Sequence, residues 1–529
     1  MTIAAPHSFK QTLRSIHPPI FLFILFLAVL FTLIHTSPLR AQSAKRLRTR
    51  LDTLRRDLSD VFADSATQHA HWGIYIRSLS KDQLIYEQNS RKNFIPASNQ
   101  KVLTIATAMS YLDTAFQYTT SIFANGQFVQ RDSTYALQGD LVLKSDGNPC
   151  ISAHWFGGRP TAFFERLADS LRYRRITEIT GDLVGDDSDF KPDTPAFINT
   201  GGDGDYPKSW EWDDLPYATA APLSAVSFNE NFVSILILPS DTLGQRPSVS
   251  LDFPTTYFTI DNYATTGDAG STRTLVVQRI FGTNRVVITG SLPQDSRGYR
   301  EGIAAERPTL FAMSVMREVF LRKGIAVRGR ARQKRADEKI DYTAIATFMQ
   351  WRSPPLIDIL KYLGKESNNF CAETVLRTVG FQAKGEGSAK AGLECVQSYL
   401  RSQGVDDDNY KLLDGSGLSR QNFVAPAAIA TLLRSYYKSK KFGSFRGTLP
   451  IAGEDGTLRK RMTDTKAAGK VWAKTGFIST VRTLSGYVQS DDGELFCFSM
   501  MAMNYAVPTK DIEALQDHAL ELIANWRRN

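Results

Sequence analysis

Three short polar motifs lie hundreds of residues apart in this chain, and a fold that serves all three must bring them together. The first is Ser98-Asn99-Gln100-Lys101, preceded by Ile95-Pro96-Ala97. Val102, Leu103, Ile105, Ala106, Met109 and Leu112 follow it at helical spacing, which predicts an amphipathic or fully buried helix with Ser98 and Lys101 in its first turn. Three residues is almost one turn, so the hydroxyl and the amine share a face. An amine that loses its proton beside a serine activates that serine as a nucleophile. Ser367-Asn368-Asn369 supplies Ser-x-Asn, and Lys474-Thr475-Gly476 follows it. The surrounding patterns place the second motif in a loop between helices and the third at the start of a strand. Each motif alone is common; the three in this order are the signature of serine acyl-transfer sites.

The ends of the chain carry separate signals. Lys10 and Arg14 precede an apolar run at 20–34, and Ala41 offers a small residue for cleavage. That run of 15 residues falls short of the roughly 20 that span a bilayer, so residues 1–41 read first as a cleaved export signal that leaves no stable membrane span, with an uncleaved N-terminal anchor as the alternative. Three of the nine net positive charges belong to this leader, leaving +6 on the remainder. No basic stripe with interleaved aromatics accompanies that charge, which argues against a nucleic-acid partner. Cys150, Cys371, Cys395 and Cys497 make no Cys-x-x-Cys pair. Cys371 and Cys395 are open to a bridge or to buried free thiols.

Element patterns divide the chain. A charged helix with a Leu51, Leu54, Leu58, Val61 stripe covers 46–64, and two strands at 73–77 and 83–87 flank a polar turn. From 118 to 300, short β-rich runs alternate with Gly, Asp and Pro clusters, with a Gly/Asp-rich loop over 192–212. Helices are expected at 310–323, 355–363, 371–380, 388–403 and 426–439. A hairpin at 483–503 turns on Asp492-Gly493, and a closing helix covers 510–526. The expected division is leader 1–41, a first catalytic part 42–117, a β-rich insertion 118–300 and a second catalytic part 301–529, with the two ends sharing one sheet.

The flanks of the motifs carry a resemblance. Residues 363–373 around Ser367, Asp414-Gly415-Ser416-Gly417, residues 449–458, and Trp210-Glu211-Trp212-Asp213-Asp214 with Asn229-Glu230-Asn231 together resemble the class C low-molecular-weight penicillin-binding proteins. These are D-Ala-D-Ala carboxypeptidase/endopeptidases with a large insertion after the active serine. The resemblance implies an α+β fold of the serine β-lactamase and penicillin-binding (transpeptidase-like) type: an antiparallel sheet flanked by helices. It implies an exported, periplasmic enzyme without cofactor or metal, with peptidoglycan stem peptides as substrate and β-lactams as inhibitors. Ser98 is the expected nucleophile and Lys101 its base. Ser367 relays a proton, and Asn369 bonds the substrate or Lys101. Lys474 and Thr475 bind the terminal carboxylate, Gly476 lets substrate approach the strand, and the N–H groups of Ser98 and Phe477 form the oxyanion site. Burial and the nearby Lys474 are both expected to lower the Lys101 pKa. Phe477 departs from the Ser or Thr usual after Lys-Thr-Gly.

Other chemistries fit less well. His69, His71, His154 and His518 lie in no catalytic or metal motif, and Ser416 lacks a Gly-x-Ser-x-Gly elbow, so its loop is expected to border the cleft. Asp186, Asp187 and Asp189 read as a solvated turn and not as a cation loop, and Trp210 and Trp212 as local core. A β-lactamase or a non-catalytic peptidoglycan-binding protein on the same fold are the alternatives.

Overall fold

A computed structural model describes residues 37–192 and 205–528. The apolar leader run and much of the Gly/Asp-rich loop lie outside the described residues. Among the described residues, no helix is long and apolar enough to cross a membrane.

Both ends of the chain build one antiparallel sheet. β1 (His71–Ser78) and β2 (Gln83–Gln88) come from the first part; β3 (Val471–Ile478), β4 (Val481–Gln489) and β5 (Leu495–Met503) come from the last. The order is β2-β1-β5-β4-β3, which leaves β3 at one edge. Met500 of β5 sits opposite Ile74 of β1 on one side and Leu484 of β4 on the other. Alternate residues face opposite ways: Phe496, Phe498 and Met500 enter one core, Cys497 and Met501 another. A sheet covered on both faces explains why its central strand β5 reads as a nearly unbroken apolar run.

Helices supply the two covers. α1 (Ser37–Phe62) and α7 (Thr509–Asn525) bury Leu54, Leu58, Ile512, Leu520 and Ile523 against one face. The opposite core contains α2 (Gln100–Tyr111), α3 (Leu356–Lys365), α4 (Asn369–Lys384), α5 (Ala389–Ser402) and α6 (Pro426–Tyr437). α2 is its centre: every residue from Gln100 to Met109 is buried, polar ones included. Burial of that kind requires each polar side chain to find a partner, and the partners define the site described below.

The chain leaves this body at Tyr118 and returns at Ser353. Ser353 N–H donates to the Tyr118 carbonyl at 2.9 Å, and Tyr118 N–H donates to Ser353 Oγ at 2.9 Å. Between them a long hairpin, Thr119–Arg131 with Thr134–Ser145, anchors a second sheet, and Ala346–Arg352 pairs with its first strand. The expected end of the insertion at residue 300 therefore falls inside this body. Composition turns helical at Pro308–Arg322, but Phe311, Val315 and Val319 of that helix pack into the second core. A further helix, Ala162–Tyr173, lies within the stretch whose composition reads as β-rich. The segment containing Tyr206, Trp210, Leu215 and Leu223 crosses back and packs into the first core.

Candidate active site

Ser98 lies in a single 3-10 turn, Ala97–Asn99, just ahead of α2, and not in the α-helix itself. Ala97 takes a left-handed φ of 45° to make that turn. Two bonds tie it to the edge of the sheet: Asn99 Nδ2 donates to the Lys474 carbonyl at 2.9 Å, and Thr483 Oγ1 donates to the Pro96 carbonyl at 2.8 Å. β3 runs so close that a Cβ on Gly476 would lie 2.1 Å from Thr483 Oγ1 and 3.0 Å from the Ser98 nitrogen. Glycine is therefore required there by packing.

Lys101 is fully buried, and its Nζ has three neighbours: Ser98 Oγ at 2.8 Å, Asn369 Oδ1 at 2.6 Å and the Ser416 carbonyl at 2.6 Å. Asn369 Nδ2 donates to the Thr219 carbonyl at 2.8 Å, which fixes its amide with the oxygen toward the amine. The two carbonyl oxygens can only accept. A neutral amine has two N–H bonds and one lone pair, so both N–H groups go to the carbonyls and the lone pair is left facing the Ser98 hydroxyl. Burial pushes the Lys101 pKa down to about 7, against the pull of Asp414 and Glu373. Lys101 and Lys474 repel each other, and Lys474 is held well below the ordinary lysine value by burial first, then by Lys101 and Arg482.

The Ser416 carbonyl is aimed by a buried scaffold. Glu373 Oε1 accepts from the N–H groups of Gly415 and Ser416 at 2.9 and 2.7 Å. Arg377 joins Glu373 to Asp205 of the inserted body, at 3.4 and 2.7 Å. Asp414 accepts from Gly417 N–H and Ser419 N–H at 2.7 Å, and from Trp210 Nε1 at 3.0 Å. Gly417 has a φ of 83°, and a Cβ there would lie 1.8 Å from the Ala97 carbonyl. Burial raises Glu373 to about 7, with Asp414 adding to the rise and Arg377 opposing it.

Ser367 sits between α3 and α4 at φ 59°, and its Oγ accepts from Lys474 Nζ at 2.8 Å. Lys474 also donates to the Thr475 carbonyl at 2.8 Å, and Thr475 Oγ1 meets Thr457 Oγ1 at 2.7 Å. The structure thus gathers Ser98, Lys101, Ser367, Asn369, Lys474, Thr475 and Gly476 at one edge of the sheet. Lys474-Thr475-Gly476 lies mid-strand in β3 rather than at its start. Phe477 follows on the same edge strand, is 54% exposed, and has the Arg482 guanidinium 5.8 Å from its ring.

Several residues that build the site carry no catalytic motif. Glu373 and Asp414 stand beside the motifs, but their work is to hold backbone N–H groups, which no local spacing announces. Ser416 contributes its carbonyl and not its buried hydroxyl, consistent with a loop bordering the cleft. Asp186 and its neighbours are not a solvated turn: Asp186 is buried and accepts from Tyr342 and Ser188, while Asp187 accepts from Thr309 and Gln333. Trp210 is core, but Trp212 is exposed. All four cysteines are buried and free, and among the described residues no His, Cys, Asp or Glu cluster could hold a metal ion.

The chain has relatives that match it over most of its length. The profile of the D-Ala-D-Ala carboxypeptidase 3 (S13) family matches residues 54–525. The D-alanyl-D-alanine carboxypeptidase of Actinomadura sp. (strain R39) is 30% identical over 488 residues, 90% of this chain and 85% of that protein. The D-alanyl-D-alanine carboxypeptidase DacB of Haemophilus influenzae is 28% identical over 447 residues, 84% of this chain and 87% of that one. The crystal structure of penicillin binding protein 4 (dacB) from Haemophilus influenzae superposes with a TM-score of 0.74 at 24% identity, covering 89% of this chain and 99% of that chain. The fold is thus the α+β penicillin-binding type expected from the motifs, with the insertion between nucleophile and second motif. A profile match spanning nearly all the described residues, together with a relative at 30% identity over most of both chains, makes this chain a member of the D-Ala-D-Ala carboxypeptidase 3 (S13) family.

Proposed function

We propose that the protein is a serine DD-peptidase that cleaves the D-Ala-D-Ala ends of peptidoglycan stem peptides, and cross-links of the same stereochemistry, through an acyl-enzyme on Ser98. The observation that carries this reading is the buried Lys101 amine, which burial holds near pH 7 and which two carbonyl acceptors orient with its lone pair toward Ser98. Ser98 Oγ attacks the carbonyl carbon of the penultimate residue and gives its proton to Lys101 Nζ. Charge on the carbonyl oxygen is met by the N–H groups of Ser98 and Phe477. The C–N bond breaks as the proton taken up by Lys101 passes through Ser367 to the leaving amine, which leaves Lys101 neutral; water then attacks the acyl carbon and gives up a proton, which Lys101 returns to Ser98 Oγ as the ester bond breaks. Lys474 and Thr475 take the terminal carboxylate. An anion there stabilises the charged form of Lys474, so substrate restores the proton that burial disfavours.

The relative from Haemophilus influenzae has been crystallised with a β-lactam, which supports acylation by β-lactams here. The leader supports action outside the cytoplasm, and the adjacency of Tyr118 and Ser353 supports residues 119–352 as one inserted domain. Incubation with a peptide ending in D-Ala-D-Ala tests the reaction: the wild type should release D-Ala, and Ser98→Ala and Lys101→Ala should not. Cross-linked muropeptides assayed in parallel measure the endopeptidase share. A wild type inactive on both refutes the reading, and rapid turnover of penicillin would move it to a β-lactamase.

A further inference from the structure

The inserted body reaches the second motif at two points: the Thr219 carbonyl, which accepts from Asn369, and the carboxylate of Glu230, which accepts from Asn368. Asn229, Glu230 and Asn231 form a turn in which all three non-glycine residues have positive φ, at 47°, 53° and 58°. L-residues rarely adopt this conformation once, and three in succession persist only where the surroundings impose them. Here they do: Asn229 N–H donates to the Ile151 carbonyl at 2.7 Å, and Asn231 Nδ2 donates to the Pro222 carbonyl at 2.8 Å. The turn delivers Glu230 to Asn368, the middle residue of Ser367-Asn368-Asn369. Glu230 Oε2 accepts from Asn368 Nδ2 at 2.6 Å, and Oε1 accepts from Tyr362 Oη at 2.9 Å.

Asn368 is held at both ends of its amide. Its Oδ1 accepts from Cys371 N–H at 2.7 Å and caps α4. The cap needs only that oxygen, so the bond from Nδ2 to Glu230 is a separate restraint. On one side of Asn368, Ser367 must keep a left-handed φ to meet Lys474. On the other, Asn369 must keep its amide oxygen on Lys101.

We propose that Glu230 is a positioning residue for the acylation step: through Asn368 it fixes the loop so that Ser367 meets Lys474 and Asn369 orients Lys101. The inserted body is on this account part of the catalytic apparatus, acting through a strained turn. The proposal rests on the DD-peptidase reading above.

The test is the rate of acylation by a fluorescent penicillin as a function of pH, beside the thermal transition, for wild type, Glu230→Ala and Glu230→Gln. Glu230→Ala should acylate at least about tenfold more slowly, as misplaced catalytic groups do, while Glu230→Gln, whose amide oxygen still accepts from Asn368, should stay within about threefold. A merely structural role lowers the melting temperature and leaves the rate of the folded fraction and its pH midpoint unchanged. Should Glu230→Ala not fold, the exchange of donor and acceptor decides. Asn368→Asp keeps the cap but opposes two carboxylates and should be slow, and adding Glu230→Gln should recover most of the loss. A folded Glu230→Ala protein that acylates at the wild-type rate, or an exchange that recovers nothing, overturns the positioning role alone. A wild type that no penicillin labels overturns the peptidase reading instead.

Discussion

At the residue scale, burial sets the working range of Lys101. Its amine must be neutral to take the Ser98 proton, and burial holds its pKa at about 7. The kcat/KM for acylation should therefore rise from acid pH through a midpoint near 7 and be about tenfold below the plateau one unit under that midpoint, as measured in stopped-flow labelling. The sign for a neighbour follows. Glu373 raises the Lys101 pKa, so Glu373→Gln, which keeps the acceptor for Gly415 and Ser416, should move this limb to lower pH; a shift to higher pH would contradict the assignment. Gly476 is constrained by space and not by charge. A methyl there meets Thr483 Oγ1 at 2.1 Å, so Gly476→Ala should destabilise by about 1–3 kcal/mol and displace β3 from Ser98. Its acylation should fall far more than its melting temperature indicates. The residues legible in the sequence were those whose chemistry is their identity: a hydroxyl and an amine one turn apart, a second lysine beside glycine. Glu373, Asp414 and Glu230 act by gripping backbone or amide groups from distant segments, and no spacing encodes such a contact.

At the scale of elements, the sequence conveys covered faces better than it conveys neighbours. Alternation and helical stripes located β1, β2, β4, β5 and α7 to within a few residues, because each buries a continuous apolar face, whereas α1 begins at Ser37, well before the expected start at 46. The helix Ala162–Tyr173 has such a face too, in Phe163, Phe164, Leu167 and Leu171, but Gly, Asp and Pro clusters around it dominate the local composition. Ser98 shows the limit of periodicity: the apolar pattern of α2 continues into the motif, yet the turn carrying Ser98 is 3-10, set by the bonds from Thr483 and Asn99. α4 offers a direct test of element packing. Arg377 is 1% exposed and joins Glu373 on its own helix to Asp205 of the inserted body. Removing one member of a buried ionic set strands the others, so Arg377→Met should cost about 3–5 kcal/mol in thermal or denaturant unfolding. A loss under about 1 kcal/mol would show that the pair is not buried in solution as it is here.

At the scale of the molecule, the inserted body has its own core but not its own independence. Its ends meet at Tyr118 and Ser353, so a short linker could close the gap left by excising residues 119–352. The excision would also strip Tyr206, Trp210, Leu215 and Leu223 from the catalytic core, along with Thr219 and Glu230 from the site. At about 1.5–3 kcal/mol for each large apolar side chain, the four together match the whole stability of an ordinary domain. The excised protein should be insoluble or fail to bind penicillin; soluble protein labelling at the wild-type rate would contradict the coupling. The expected boundary at residue 300 follows composition, which changes where strands give way to the helix Pro308–Arg322, whereas the second sheet continues to Arg352. The most direct test of the central claim is intact-mass and peptide mapping of the protein after brief exposure to benzylpenicillin. One covalent adduct per chain is expected, on the peptide containing Ser98 and absent from Ser98→Ala; an adduct on Ser367 or Ser416, or none at all, would rule out Ser98 as the nucleophile.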